Sequence, residues 1–156
     1  MCESFRENLI EPGGFADYVI VKGRATAHAA HKVPDEITDT LAVFLEPAAC
    51  VLRGVDRSEL QINGSAAILG GGSMGLLHLL VIRAAHPDAN ILLVDPLSDR
   101  RSLAKRLGAN VTAEPGDSAF SAAMGMTNGH GIDVVFDTVG GGDILESGLK
   151  LTRKGG

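Results

Sequence analysis

Only two cysteines, Cys2 and Cys50, occur in the 156 residues. They cannot build a disulfide framework, and an intracellular, reducing compartment is the simplest setting for such a chain. A basic stripe is missing too: 14 Lys and Arg stand against 19 Asp and Glu, a formal charge of −5, with the cations scattered singly or in pairs. Nucleic acid is therefore not an expected partner, because a phosphate backbone needs clustered cations. The apolar runs fall far short of the ~20 residues that span a bilayer, and the opening Met-Cys-Glu-Ser-Phe-Arg-Glu-Asn has no apolar secretory core. The expectation is a cytoplasmic protein with no membrane partner. Internal repeats and low-complexity tracts are also lacking, since the 20 glycines fall at the ends of apolar runs. What is present is 45% apolar residues, enough for one ordinary domain with a real core and hardly for two.

From about residue 65, short apolar runs alternate with helical patterns, as in a βαβ series around a buried parallel sheet. Ala66 to Leu69 reads as a strand, followed by a helix from near Ser73 that is apolar nearly all round and stops at His86-Pro87. Ile91 to Val94 is a second strand ending at Asp95; Ser98 is placed to cap the next helix and Gly108 to terminate it. A weaker strand around Asn110 to Ala113 leads through Pro115-Gly116 to a helix containing Phe120, Ala123 and Met124. Ile132 to Phe136 reads as a fourth strand, and Asp143 to Leu151 as the last helix. Four strand–helix units against the roughly six strands of a complete doubly wound dinucleotide fold lead to the expectation of a truncated chain. The first 60 residues differ: Gly13 to Val21 alternates like an edge β segment, and a helical stretch runs from Ile37 to about Val55.

Gly70-Gly71-Gly72-Ser73-Met74-Gly75 is a G-x-G-x-x-G turn. By itself the motif is weak in so glycine-rich a chain, but here it lies directly between an apolar strand and an apolar helix. There the glycines permit a tight turn, close cofactor approach and close helix–sheet contact. The backbone N–H groups of Ser73 and Met74, unpaired at a helix start, face a pyrophosphate at the positive end of the helix dipole. Asp95 stands 20 residues beyond Gly75 at the end of the next strand, where a carboxylate accepts hydrogen bonds from adenosine ribose hydroxyls and repels the 2′-phosphate of NADP. Arg100 is a candidate to close over the adenosine, with a solvated helix charge as the alternative, which is also the preferred reading of Arg101.

Leu45-Glu46-Pro47-Ala48-Ala49-Cys50-Val51-Leu52-Arg53-Gly54-Val55 resembles the Glu-Pro-containing helix of zinc-type medium-chain alcohol and polyol dehydrogenases. Pro12 to Tyr18 is similar to that family's Gly-Gly-Phe-Ala-Glu-Tyr strand, and Leu151 to Gly156 to the turn before its fifth cofactor-domain strand. The resemblance implies an α/β chain in which residues 1–48 end a GroES-like catalytic domain and begin a connecting helix. Residues 49–156 would then form a Rossmann-type NAD-binding domain with a doubly wound parallel sheet. It implies NAD as cofactor, zinc in the full-length protein, hydride transfer to or from a small-molecule alcohol or polyol, and a homo-oligomeric full-length enzyme. Through it, Glu46 matches the glutamate beside the catalytic zinc, and Cys2 the last of four structural-zinc cysteines whose three partners have no counterpart here. The backbone of Val139 falls where the family passes the nicotinamide ribose.

No catalytic residue is assigned within the chain, because the family's catalytic cysteine and histidine match no position here. Cys50 is expected to be a buried structural thiol, His28 and His31 surface residues flanking an extended region, and His78 the partner in a local hydrogen bond. Two alternatives differ in chemistry: a zinc-free quinone or enone reductase of the same superfamily, opposed by Asp95 and Glu46-Pro47, and a nucleotide-binding module without catalysis.

Overall fold

The structure, a computed structural model, describes residues 13–21 and 23–156. Two compact units divide between Ala42 and Val43. In the first, helices α1 (Gly23–Ala29) and α2 (Asp39–Ala42) are joined by irregular chain. The expected edge strand is not formed: residues 13–21 pair with no strand among the described residues, and Phe15, Tyr18 and Ile20 stand exposed. Alternation alone does not make a strand, which needs a ladder partner for its backbone groups. His28 lies within α1 and not beside an extended segment.

The second unit runs α3 (Leu45–Arg57), β1 (Ser65–Leu69), α4 (Ser73–Ala85), β2 (Asn90–Val94), α5 (Ser98–Arg106), β3 (Val111–Ala113), α6 (Asp117–Met126), β4 (Val134–Asp137) and α7 (Gly142–Leu151). All its strands are parallel, in the order β3-β2-β1-β4. This is the start of the 3-2-1-4-5-6 order of doubly wound dinucleotide folds. All five positions of β1 are buried, as a strand with helices on both faces requires. Successive side chains point to opposite faces, so the core divides by residue parity. Ala66, Ile68, Ile91 and Leu93 pack with Val51, Val55, Leu79 and Ile82 beneath α3, α4 and α5. Ala67, Leu69, Leu92 and Val94 pack with Ala119, Ala123 and Leu151 beneath α6 and α7. Each fully buried Leu or Ile contributes about 1.5–3 kcal/mol. Beyond α7, Thr152 bridges in parallel to Ile132, next to β4 on the side away from β1.

The helix expected from Ile37 to Val55 is broken into α2 and α3. A continuous helix would place Pro47 in its interior, where the ring clashes with the preceding turn; a restart at Leu45 puts Pro47 in the first turn, which tolerates it. The unit boundary accordingly precedes this helix, whose Val51 and Val55 belong to the core of the second unit. Ser98 is not a cap: Leu97 holds the N-cap position without a side-chain bond, and the Asp95 carboxylate takes the Leu97 N–H instead. Gly108 terminates α5 as expected. At φ +108°, it allows its own N–H to reach Lys105 O and that of Ala109 to reach Ala104 O, a Schellman closure. Helix α4 is less enclosed than its sequence suggests, with Met74 and Leu80 exposed and Gly75, Leu79 and Ile82 buried.

Candidate functional site

The chain leaves β1 at Leu69 and reverses through Gly70, whose φ of +99° an L side chain rarely adopts. Its N–H donates to Val94 O at 2.8 Å, and Leu69 O accepts from the N–H and hydroxyl of Thr138 at 3.1 and 2.8 Å. The turn is thus tied to the C-terminal ends of both β2 and β4. A Cβ on Gly70 would stand 2.7 Å from Val139 Cγ2, and one on Gly75 only 1.8 Å from Gly70 O. Gly72, the extended N-cap of α4, has nothing within 4 Å of where a Cβ would be. Two glycines therefore serve internal packing, and the middle one borders open space. No side chain caps α4, so the first N–H groups, at Ser73 and Met74, present a helix-dipole anion cradle.

Asp95 is the best-buried carboxylate of the described residues, 2% exposed. Its Oδ2 accepts from the N–H of Gly71 at 2.7 Å and from Arg100 at 3.5 Å, while Oδ1 accepts from Leu97 N at 2.8 Å. Burial pushes this carboxyl up, but the Gly71 and Leu97 N–H groups and Arg100 outweigh it and hold it below the usual carboxylate range. Asp95 therefore first shapes the glycine turn from within. A carboxylate has about four acceptor positions, so three protein donors leave one, and Asp95 still lines the adjoining cavity. Arg100, half exposed, lines it as well. Arg101 is not the solvated helix charge the sequence suggests: its side chain is 18% exposed and bonded to Asp95 O, Pro96 O and Glu114.

The cavity, about 620 Å³, opens along the C-terminal ends of the strands, where a doubly wound sheet takes its ligands. It brings together Gly70, Gly72, Asp95, Arg100 and Val139, all singled out in the sequence. The N–H of Val139 is committed to Asp137 Oδ1 at 2.9 Å, which Gly140 N shares at 2.9 Å. Pro96, Phe120, Thr138 and Ile144 also line the cavity, and sequence reasoning missed them in this role. Phe120 reads there as core, yet is 47% exposed. The usable signal was position: Pro115-Gly116 follows β3 at the same end of the sheet as the glycine turn, and β4 delivers Thr138 to that end.

Glu46 lies exposed in the first turn of α3, and its Oε1 accepts from Cys50 Sγ at 3.2 Å. Cys50 is exposed rather than buried, since the inward stripe of α3 is Val51 and Val55. Hydrogen bonding to Glu46 and its negative charge push the thiol pKa up. No group of three His, Cys, Asp or Glu suited to a metal forms among the described residues; Cys2 lies outside them. His78 makes its local bond, Nδ1 to Met74 O at 2.8 Å. No helix among the described residues is long and apolar enough to cross a membrane.

Comparison with known proteins places these features in a lineage. The family model described as zinc-binding dehydrogenase matches residues 74–156. The chain is 30% identical over 144 residues to an erythritol/L-threitol dehydrogenase of Mycolicibacterium smegmatis, covering 92% of this chain and 39% of the relative. It is 33% identical over 145 residues to an L-threonine 3-dehydrogenase of Bacillus velezensis, covering 92% and 40%. Among solved structures, the 2R,3R-butanediol dehydrogenase of Bacillus subtilis superposes with a TM-score of 0.69 at 31% identity, over 79% of this chain and 35% of that one. A zinc-binding dehydrogenase of Sinorhizobium meliloti bound to NADP gives 0.70 at 30% identity, over 81% and 37%. The chain thus spans about two fifths of the length of the relatives it matches. With a matched segment covering more than half of its residues and running from the glycine turn through the last helix, the chain belongs to the zinc-binding dehydrogenase family.

Proposed function

We propose that this chain is the dinucleotide-binding portion of an NAD-linked, zinc-type alcohol or polyol dehydrogenase. One observation carries the reading: an uncapped α4 N-terminus and the buried carboxylate of Asp95 meet at a glycine turn whose middle residue borders open space. In this reading Gly72 lets the pyrophosphate approach, and the N–H groups of Ser73 and Met74 bind it. Gly70 and Gly75 hold α4 against the sheet so that those donors are preset. Asp95 accepts from an adenosine ribose hydroxyl through its remaining lone pair, Arg100 closes over the adenosine, and the Val139 carbonyl meets the nicotinamide ribose, its N–H being engaged by Asp137. When bound, NAD supplies the hydride acceptor or donor at its nicotinamide.

The relatives' names point to an alcohol or polyol as the small-molecule substrate of the whole protein, which we take to be a homo-oligomer. We assign residues 1–48 to the end of its GroES-like catalytic domain together with the start of the connecting helix, and 49–156 to its Rossmann domain. The described residues do not form a zinc site, so zinc and catalysis are assigned to the whole protein. Glu46 is a carboxylate that would need ligands from other parts of it.

An NADPH-linked enzyme of the same zinc-type family is the second reading, kept because a zinc-binding dehydrogenase of comparable similarity is bound to NADP. Asp95 opposes it, since a carboxylate at the ribose repels a 2′-phosphate. Fluorescence titration with NADH and NADPH decides between them. NADH is expected to bind at least ~10-fold tighter, the scale of one charge-assisted hydrogen bond. Equal or tighter NADPH binding overturns the role of Asp95, and binding of neither removes the site.

A further inference from the structure

We infer that Arg101 is a positioning residue for the adenosine end of the dinucleotide, acting through Asp95 and Pro96; this rests on the cofactor reading above. The β2–β3 ladder stops at Val94 and Ala113, with one further bond from Asp95 N to Ala113 O at 3.2 Å. The next residue, Pro96, has no N–H to continue it. At that point the Arg101 guanidinium takes over. Nη1 donates to the carbonyls of Asp95 and Pro96, each at 2.8 Å, and Nη2 to Glu114 Oε1 at 2.8 Å. One planar fork thereby ties the turn after β2 to the residue after β3. A lysine ammonium does not reproduce that geometry.

The two residues whose carbonyls Arg101 holds are themselves cavity-lining, Asp95 with its carboxylate and Pro96 with its ring, whereas Arg101 does not line the cavity. Its effect on a ligand is therefore indirect: it sets where the Asp95 carboxylate stands relative to the ribose. Its guanidinium is turned to these three acceptors and away from the cavity, so it is not placed to meet a 2′-phosphate. A shift of the turn weakens a contact that NADH makes and NADPH does not, which changes preference as well as affinity.

The test is the ratio of NADPH to NADH dissociation constants for the full chain and for Arg101→Met, which keeps an aliphatic stem without the fork. We expect NADH binding to weaken ~10-fold and NADPH binding to stay within ~2-fold, the loss of one well-placed hydrogen bond to one ligand only. Arg101→Lys should give an intermediate ratio and carries the test should Arg101→Met not fold. Glu114→Gln, which keeps the acceptor, should stay within ~3-fold of wild type. A wild-type preference for NADH that survives unchanged in Arg101→Met, or in Arg101→Lys where only that variant folds, overturns the positioning role and leaves the cofactor reading standing. A wild-type protein with no preference for NADH refutes the cofactor reading, and this inference falls with it.

Discussion

Gly75 and Gly72 are three residues apart in one turn, and the structure requires them to fail in opposite ways. A Cβ at Gly75 would stand 1.8 Å from Gly70 O and 2.9 Å from Gly70 C, both backbone atoms that cannot rotate aside. Restoring an ordinary contact of ~3.4 Å moves α4 off the turn by about 1.6 Å, an overpacking change of the kind that costs about 1–3 kcal/mol or more. The intrinsic gain of Ala over Gly in a helix, about 0.8–1 kcal/mol, offsets only part of it. A net loss near 2 kcal/mol lowers the Tm of a domain this size by about 4–8 °C. The shift also drags the Ser73 and Met74 donors away from the pyrophosphate. Gly75→Ala is therefore expected to lose both stability and at least ~10-fold in NADH affinity. At Gly72, φ is −74° and a Cβ meets nothing within 4 Å. Gly72→Ala should keep its Tm within about 3 °C, the loss of a mediocre N-cap, yet still lose NADH by placing a methyl where the pyrophosphate passes. Differential scanning fluorimetry and NADH fluorescence titration on the two variants read both quantities. A Gly75→Ala protein with unchanged Tm and NADH affinity within twofold of wild type would refute the packing argument. A Gly72→Ala protein that binds NADH normally would sink the placement of the pyrophosphate.

Two further outcomes follow from charged groups at the opposite end of the sheet. Asp133 accepts from the N–H and hydroxyl of Ser65, each at 2.7 Å, and from Arg153 at 2.6 Å. Burial raises its pKa, but these donors outweigh it, and the carboxyl titrates below the ordinary range. Because the folded value lies below the unfolded one, the stabilisation is complete well above pH ~3.9 and is lost as pH falls through the folded value. Asp133→Asn should thus lower Tm by about 3–6 °C at pH 7, with the gap closing below pH ~4; a gap that stays constant from pH 7 to pH 3 contradicts the linkage. Arg83 donates to Pro87 O, Ala89 O, Gly108 O and Asn110 Oδ1 at 2.5–3.0 Å, bracing the loops around β2. Arg83→Met is expected to cost about 2 kcal/mol, or 4–8 °C, by calorimetry, with NADH affinity unchanged because these loops lie away from the glycine turn. A matching loss of cofactor binding would show that the two ends of the sheet are coupled.

Much of the second unit was legible because its signals are local. Four apolar runs bounded by glycine, proline and aspartate marked the strands to within one or two residues, since a strand buried on both faces has few polar options. Gly108 announced the end of α5 through a backbone conformation that suits glycine best. The glycine turn and Asp95 were recognisable from spacing along the chain. Misreadings arose where a residue's partner is distant or missing. Gly13 to Val21 alternates correctly but has no ladder to join among the described residues. Ser98 has the chemistry of a cap, but the helix starts one residue too early for it: Leu97 is the N-cap, with its N–H held by the Asp95 carboxylate. Pro47 is a local signal, and it sets where α3 begins.

The sequence by itself determined the strand–helix alternation, the parity that divides the core between two sheet faces, and the glycine turn with an acidic residue at the next strand's end. These depend on periodicity and on backbone conformations that few residues can adopt. Only the tertiary structure decided that Asp95 is an internal organiser of that turn, that Arg101 is a clamp and not a surface charge, and that Phe120 and Ile144 join one cavity. Each of these is settled by which strand ends lie side by side in the order β3-β2-β1-β4. That order follows from long-range pairing, for which no short stretch of sequence carries a signal.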